Sequence, residues 1–86
     1  MKLRIIDCKK FTDKNSAHEE IMQAMEFPGY YGKNLDALWD MLTEITYDTL
    51  ILLVNSSHAA EDTENIIHLF REAEEENPRL RIAATM

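Results

Sequence analysis

Disulfide bonds cannot hold this chain together, because Cys8 is its only cysteine. A free thiol points to a reducing compartment. The stretch Met1-Lys2-Leu3-Arg4-Ile5-Ile6 has no apolar run of the length a signal peptide requires, and nothing elsewhere approaches a membrane span. These absences lead us to expect a cytoplasmic protein. Repeats, low-complexity tracts and linkers are also missing, so the 86 residues are expected to form one domain, 1–86. Basic residues are scarce in the middle of the chain. Residues 34–76 hold eleven acids against one base, Arg71, whereas residues 1–33 are nearly balanced, with six bases and five acids. The net charge of −7 therefore belongs to one contiguous stretch, which repels nucleic acid and anionic lipid and attracts a basic partner. Zinc-type spacing is absent among His18, His58 and His68, no Ser/His/Asp or Cys/His arrangement can be drawn, and no cofactor is expected.

What is present is enough to fold. Apolar residues make up 45% of the chain, ordinary for a globular domain. Three apolar runs read as strands: Lys2–Ile6, Leu50–Val54 and Leu80–Ala84. The second is continuously apolar, as in a strand covered on both faces. Between them lie segments of helical period. The first, Ala17 to Met25, puts Ala17, Ile21, Ala24 and Met25 on one face, with Asn15 or Ser16 as its cap. A second helix follows Gly32-Lys33 with Asn34 as N-cap and the stripe Leu35, Leu38, Leu42, Ile45. A third starts near Asp62-Thr63, buries Ile66, Ile67, Phe70 and Ala73, and stops before Asn77-Pro78. Residues 55–61 read as a loop with one helical turn. Strands separated by helices favour a parallel sheet with right-handed crossovers. The expected class is α/β, a three-stranded parallel sheet flanked by three to four helices.

The second helix departs from what stability alone would choose. Asp36, Asp40, Thr43 and Glu44 share the face opposite its leucines, and Trp39 borders both faces. Like charges at i, i+4 and i+8 cost a few tenths of a kcal/mol per pair. The helix dipole compensates only Asp36, while Glu44 lies against it. Two adjacent tyrosines, Tyr30 and Tyr31, precede the helix, one of them expected in the core, together with Gly32. Aromatic contact area beside unpaired carboxylates is the composition of a binding patch for a charged partner. In the third helix Glu72, Glu74, Glu75 and Glu76 crowd the C-terminal turns, where the dipole prefers cations. Most of that run reads as solvated surface, with Glu72 available to an acidic rim.

The run Tyr30-Tyr31-Gly32-Lys33-Asn34-Leu35-Asp36-Ala37-Leu38-Trp39-Asp40 closely resembles the YYGxNLDALWD signature of the barstar family, intracellular inhibitors of the secreted ribonuclease barnase. Phe70-Arg71-Glu72-Ala73 resembles a second stretch of that family, and His18 and Pro28 fall at corresponding distances. The resemblance implies a binding protein without catalysis, a monomer that forms a one-to-one complex with a basic ribonuclease. By the same resemblance, Asp40 would occupy the scissile-phosphate site and Asp36 would pair with bases at the cleft edge. Tyr30 would pack on the enzyme's histidine, Gly32, Asn34, Leu35, Trp39 and Thr43 would supply close contact, and Glu72 a peripheral charge. Aspartate at the Asp40 position is a known extreme hot spot of that family. Four positions depart from the pattern. Glu44 and Ile45 stand where its best-known form has glycine and tryptophan, Lys33 replaces an acid, and Met41 replaces a cysteine.

Three other readings compete. Asp36 and Asp40 could act as paired catalytic carboxylates or Mg²⁺ ligands, though no further ligand set is evident. The same scaffold could serve as a binding or immunity module for a different basic toxin or protein, a reading that Glu44 and Ile45 favour. Or the acids could serve solubility alone.

Overall fold

The computed structural model describes residues 1–86. Three strands, β1 (Lys2–Asp7), β2 (Thr49–Val54) and β3 (Leu80–Ala84), form a parallel sheet in the order β1-β2-β3. The register pairs Arg4 with Ile51 and Ile51 with Ile82, so inward side chains line up across the sheet. Helix α1 (Lys14–Met25) packs on β1 and α3 (Glu64–Glu76) on β3, while α2 (Leu35–Thr43) packs against α3. Three short 3-10 turns, Cys8–Lys10, Ser56–His58 and Glu61–Thr63, complete the order. The class expected from the sequence is the one observed.

The core is the layer between helices and sheet. Ile6, Ile51, Leu53, Leu80 and Ile82 point into it from the strands; Ile21, Leu38, Leu42, Ile66 and Phe70 meet them from the helices. No buried side-chain nitrogen or oxygen lacks a hydrogen-bond partner. The expectation that β2 is covered on both faces is corrected. Its burial alternates: Thr49, Ile51 and Leu53 are sealed, while Leu50, Leu52 and Val54 are half-buried. On that second face Leu3 and Ile5 of β1 are exposed as well. A continuous apolar run reports burial only when helices lie on both sides, and here they lie on one.

Three helix boundaries shift. Helix α1 begins at Lys14, three residues before the expected start, because Asp13 is its N-cap and accepts from the Ser16 amide at 2.7 Å. Asp caps as well as Ser does, and the polar first turn carries no apolar period to reveal it. Helix α2 ends at Thr43, which leaves Ile45 beyond the helix and half-buried. Leu35, counted in its apolar stripe, is 38% exposed in the first turn. Helix α3 starts at Glu64, after the 3-10 turn. Ile67 is only half-buried; Ile66, Phe70 and Ala73 are its sealed residues.

Candidate functional site

Helix α2 is set in place from both ends. At its start Asn34 accepts from the Ala37 amide at 2.8 Å through Oδ1, and its Nδ2 donates to the Gly32 carbonyl at 3.3 Å. A Cβ on Gly32 would lie 3.2 Å from Ala37 Cβ and 3.3 Å from Asn34 Nδ2, tighter than ordinary contact, so a side chain here would press on the capping residue and the first turn. At its end Asn77, buried between α3 and β3, donates to the carbonyls of Leu42 (2.9 Å) and Ile45 (3.0 Å). The Asn77 Oδ1 accepts from the Arg79 amide at 3.0 Å. Nothing in the sequence patterning singles out this asparagine.

The loop before α2 is anchored by one tyrosine and displays the other. Tyr31 is 5% exposed and Tyr30 84% exposed. Tyr31 shares a 2.7 Å hydrogen bond with His18 Nδ1 on α1, and its ring lies 5.1 Å from that of Phe27, tilted by 55°. Burial raises the phenol well above its ordinary value. Lys33, in the left-handed region at φ 53°, turns its ammonium onto Glu19 of α1. The positive charge that departs from the family pattern is thus matched by α1 and is not directed at the aspartates.

Asp36, Asp40 and Glu44 are exposed and engage in none of the ion pairs of the fold, which are Arg4–Glu26, Lys10–Glu20, Lys33–Glu19 and Arg79–Asp48. Trp39 is half-buried and packs on the core margin, partly resolving whether it is core or surface. Thr43 donates its hydroxyl proton to the Trp39 carbonyl at 2.8 Å, an i−4 back-bond that leaves its oxygen free to accept. Glu72 is exposed on the neighbouring α3. Tyr30, Gly32, Asn34, Leu35, Asp36, Trp39, Asp40 and Thr43 therefore lie along one loop and one helix, and Glu72 joins them only from a separate element. No group of three or more His, Cys, Asp or Glu side chains converges to hold a metal ion. No helix is long and apolar enough to cross a membrane. Cys8 is buried in the 3-10 turn after β1. Burial, then the Asp7 and Glu20 carboxylates, push its thiol up to about 11, which makes it a poor nucleophile.

Stability should depend on pH through His18. Burial holds its imidazole below the ordinary value near 6.5. The folded state then binds its proton less readily than the unfolded chain. The contribution is fully present above about pH 6.5 and is lost as pH falls from there through the folded value. Asp7, Asp13 and Glu26, held low by hydrogen bonds to Asn55, Ser16 and Arg4, lose their contributions only at lower pH, below the ordinary carboxylate range near 4. Urea midpoints between pH 7 and pH 5 should therefore fall, and His18→Gln should flatten that limb while lowering the midpoint at pH 7. An unchanged midpoint across this range would contradict the burial of a neutral imidazole.

Two comparisons bear on this surface. The family described as Barstar (barnase inhibitor) matches residues 1–85. A protein of Bacillus subtilis (strain 168), named "Putative ribonuclease inhibitor YrdF", is 32% identical over 81 residues, covering 88% of this chain and 89% of its own length. With its parallel three-stranded sheet, its capped acidic helix and a match that runs through nearly every residue, this chain belongs to the barstar family.

Proposed function

We propose that this protein neutralises a small basic ribonuclease, one molecule to one, by filling its substrate cleft with α2 and the loop before it. The observation that carries the reading is the pair Asp36 and Asp40, exposed and without ion-pair partners on an anchored helix, with Tyr30 exposed in the loop that leads into it. Family membership supports the same partner class. A ribonuclease must gather cations to stabilise a phosphoryl transition state. Carboxylates held on a rigid helix satisfy those cations and offer no bond to cleave. At about 4 Å and an effective dielectric near 20, one such pair contributes about 4 kcal/mol before desolvation, which offsets much of it. In this reading Asp40 takes the place of the scissile phosphate and Asp36 meets bases at the cleft edge. Tyr30 packs on the catalytic histidine. Leu35, Trp39 and Thr43 supply contact, with Gly32 and Asn34 shaping the loop, and Glu72 adds a peripheral charge. The protein itself catalyses nothing.

The test is a titration of the chain into barnase and into the ribonuclease secreted by the source organism, with RNA cleavage as readout. Cleavage should fall linearly to zero at one equivalent. The association rate should drop steeply between low and physiological salt, because the acidic field steers encounter. Failure to inhibit either enzyme, with tight capture of another basic protein, would favour the alternative that Glu44 and Ile45 raise: an immunity module of the same fold for a different basic toxin.

A further inference from the structure

The C-terminal ends of α1 and α2 face one shared groove, and each helix is followed at its C-cap by a glutamate, Glu26 and Glu44. The C-terminal end of a helix carries partial negative charge, so a carboxylate there opposes the dipole. Glu26 also adopts the left-handed conformation, φ 57° and ψ 41°, where glycine is the usual residue. Between the two ends lies a groove of about 280 Å³, smaller than the roughly 300–1,000 Å³ of small-molecule pockets and of a size for one side chain. Its surface is about half apolar and half polar: Phe27, Met41, Ile45 and the rings of Tyr30 and Tyr47 supply apolar atoms, and Glu26 and Glu44 are among the polar ones.

The two acids are not equivalent. Arg4 of β1 binds the Glu26 carboxylate at 2.5 Å, and Lys2 stands 5.6 Å over the Tyr47 ring. Cations of the chain itself already serve that side of the groove. Glu44, on the α2 side, has no ion-pair partner, and it continues the line of Asp36 and Asp40 along the helix. What fits a lining of mixed apolar and polar surface, the open ring of Tyr30 and one free carboxylate at a negative helix end is an amphipathic cation. A long basic side chain lays its methylenes on apolar surface and keeps its charge at the edge.

We propose that this groove receives an arginine or lysine side chain of the partner, its stem on Met41, Ile45 and Tyr30 and its cation at Glu44 and the α2 carbonyl end. The proposal rests on the reading of α2 as a partner-binding helix. It makes Glu44 and Ile45 the residues that select among basic partners, since Asp36 and Asp40 meet cations that every such nuclease must carry.

The test uses the full chain and two readouts. In the first, methyl NMR signals of Met41 and Ile45 are followed while N-acetyl-argininamide is added, and then its neutral isostere, the citrulline amide. The arginine probe should give saturable shifts at these methyls, weakened roughly two- to fivefold by Glu44→Gln, as for an exposed ion pair, and similarly weaker for citrulline. Equal affinity for both probes, no loss in Glu44→Gln, or shifts confined to the Asp36–Asp40 face would overturn the proposal. In the second, inhibition of the ribonucleases named above is compared for the wild type, Glu44→Gln and Ile45→Ala. Both variants should weaken capture, and Glu44→Gln should also reduce its salt dependence. Inhibition unchanged in both variants yet abolished by Asp40→Ala would sink the groove and leave the inhibitor reading intact. Inhibition of no ribonuclease by the wild type would sink that reading, while the arginine probe would still decide the groove.

Discussion

Asp40→Ala should weaken ribonuclease capture by roughly 30- to 4,000-fold, the effect of truncating one partner of a buried, hydrogen-bonded charge pair. The wide range reflects what the loss contains. Much of it is the cost of leaving the enzyme's cations desolvated without an anion, rather than the net value of the pair. The fold should not suffer. Asp40 is exposed, forms no ion pair, and stands one turn from both Asp36 and Glu44. Removing it relieves two like-charge neighbours at a few tenths of a kcal/mol each, and alanine is the better helix former. The variant should therefore melt at the same or a slightly higher temperature while losing its partner. Inhibition curves and thermal unfolding on the same sample check both halves. Wild-type inhibition by this variant would refute the cleft-filling role of α2. Strong destabilisation would show that Asp40 holds the fold instead.

Asn77→Ala should have the opposite profile, destabilising the fold by about 2–4 kcal/mol with a smaller effect on capture. The Asn77 side chain gives its two donors to carbonyls at the end of α2 and accepts from the Arg79 amide. Alanine leaves the Ile45 carbonyl and the Arg79 amide without this partner and the Leu42 carbonyl with only long backbone bonds such as that from the Ile45 amide at 3.5 Å. Each unsatisfied buried group costs about 1–3 kcal/mol. Against a total stability of about 5–15 kcal/mol, that loss moves the urea midpoint far. Asn77→Asp should be no milder, because it brings a carboxylate against the Leu42 and Ile45 carbonyls. A change below about 0.5 kcal/mol would mean that water replaces the side chain, and the C-terminal anchor of α2 would lie elsewhere.

Helix α2 is legible in the sequence because its determinants are local. Asn34 supplies the cap, Leu38 and Leu42 sit a turn apart, and Asp36, Asp40 and Glu44 recur at the spacing that puts them on one face. The three strands were legible for the same reason, each being a short apolar run between turns. At the helix boundaries the local pattern is silent or shared. Asp13 and Ser16 are equally good caps, and the polar turn between them hides the true start of α1. The leucine stripe extrapolated a helical period past Thr43, where Asn77 ends the helix by binding carbonyls from outside it.

Adjacent tyrosines show where the information divides. Tyr30 and Tyr31 have the same chemistry and the same neighbours in sequence, yet His18 and Phe27 claim Tyr31 and leave Tyr30 in solvent. By itself the sequence determined the strands, the acidic face and the family pattern, all of which follow from residue type and spacing within one turn or one strand. Tertiary structure alone decided which tyrosine is displayed, that β2 is sealed on one face, that Lys33 serves Glu19, and that two helix ends with their glutamates share a groove. These depend on segments far apart in the chain meeting at hydrogen-bond and ion-pair distances, and no local periodicity encodes such a meeting.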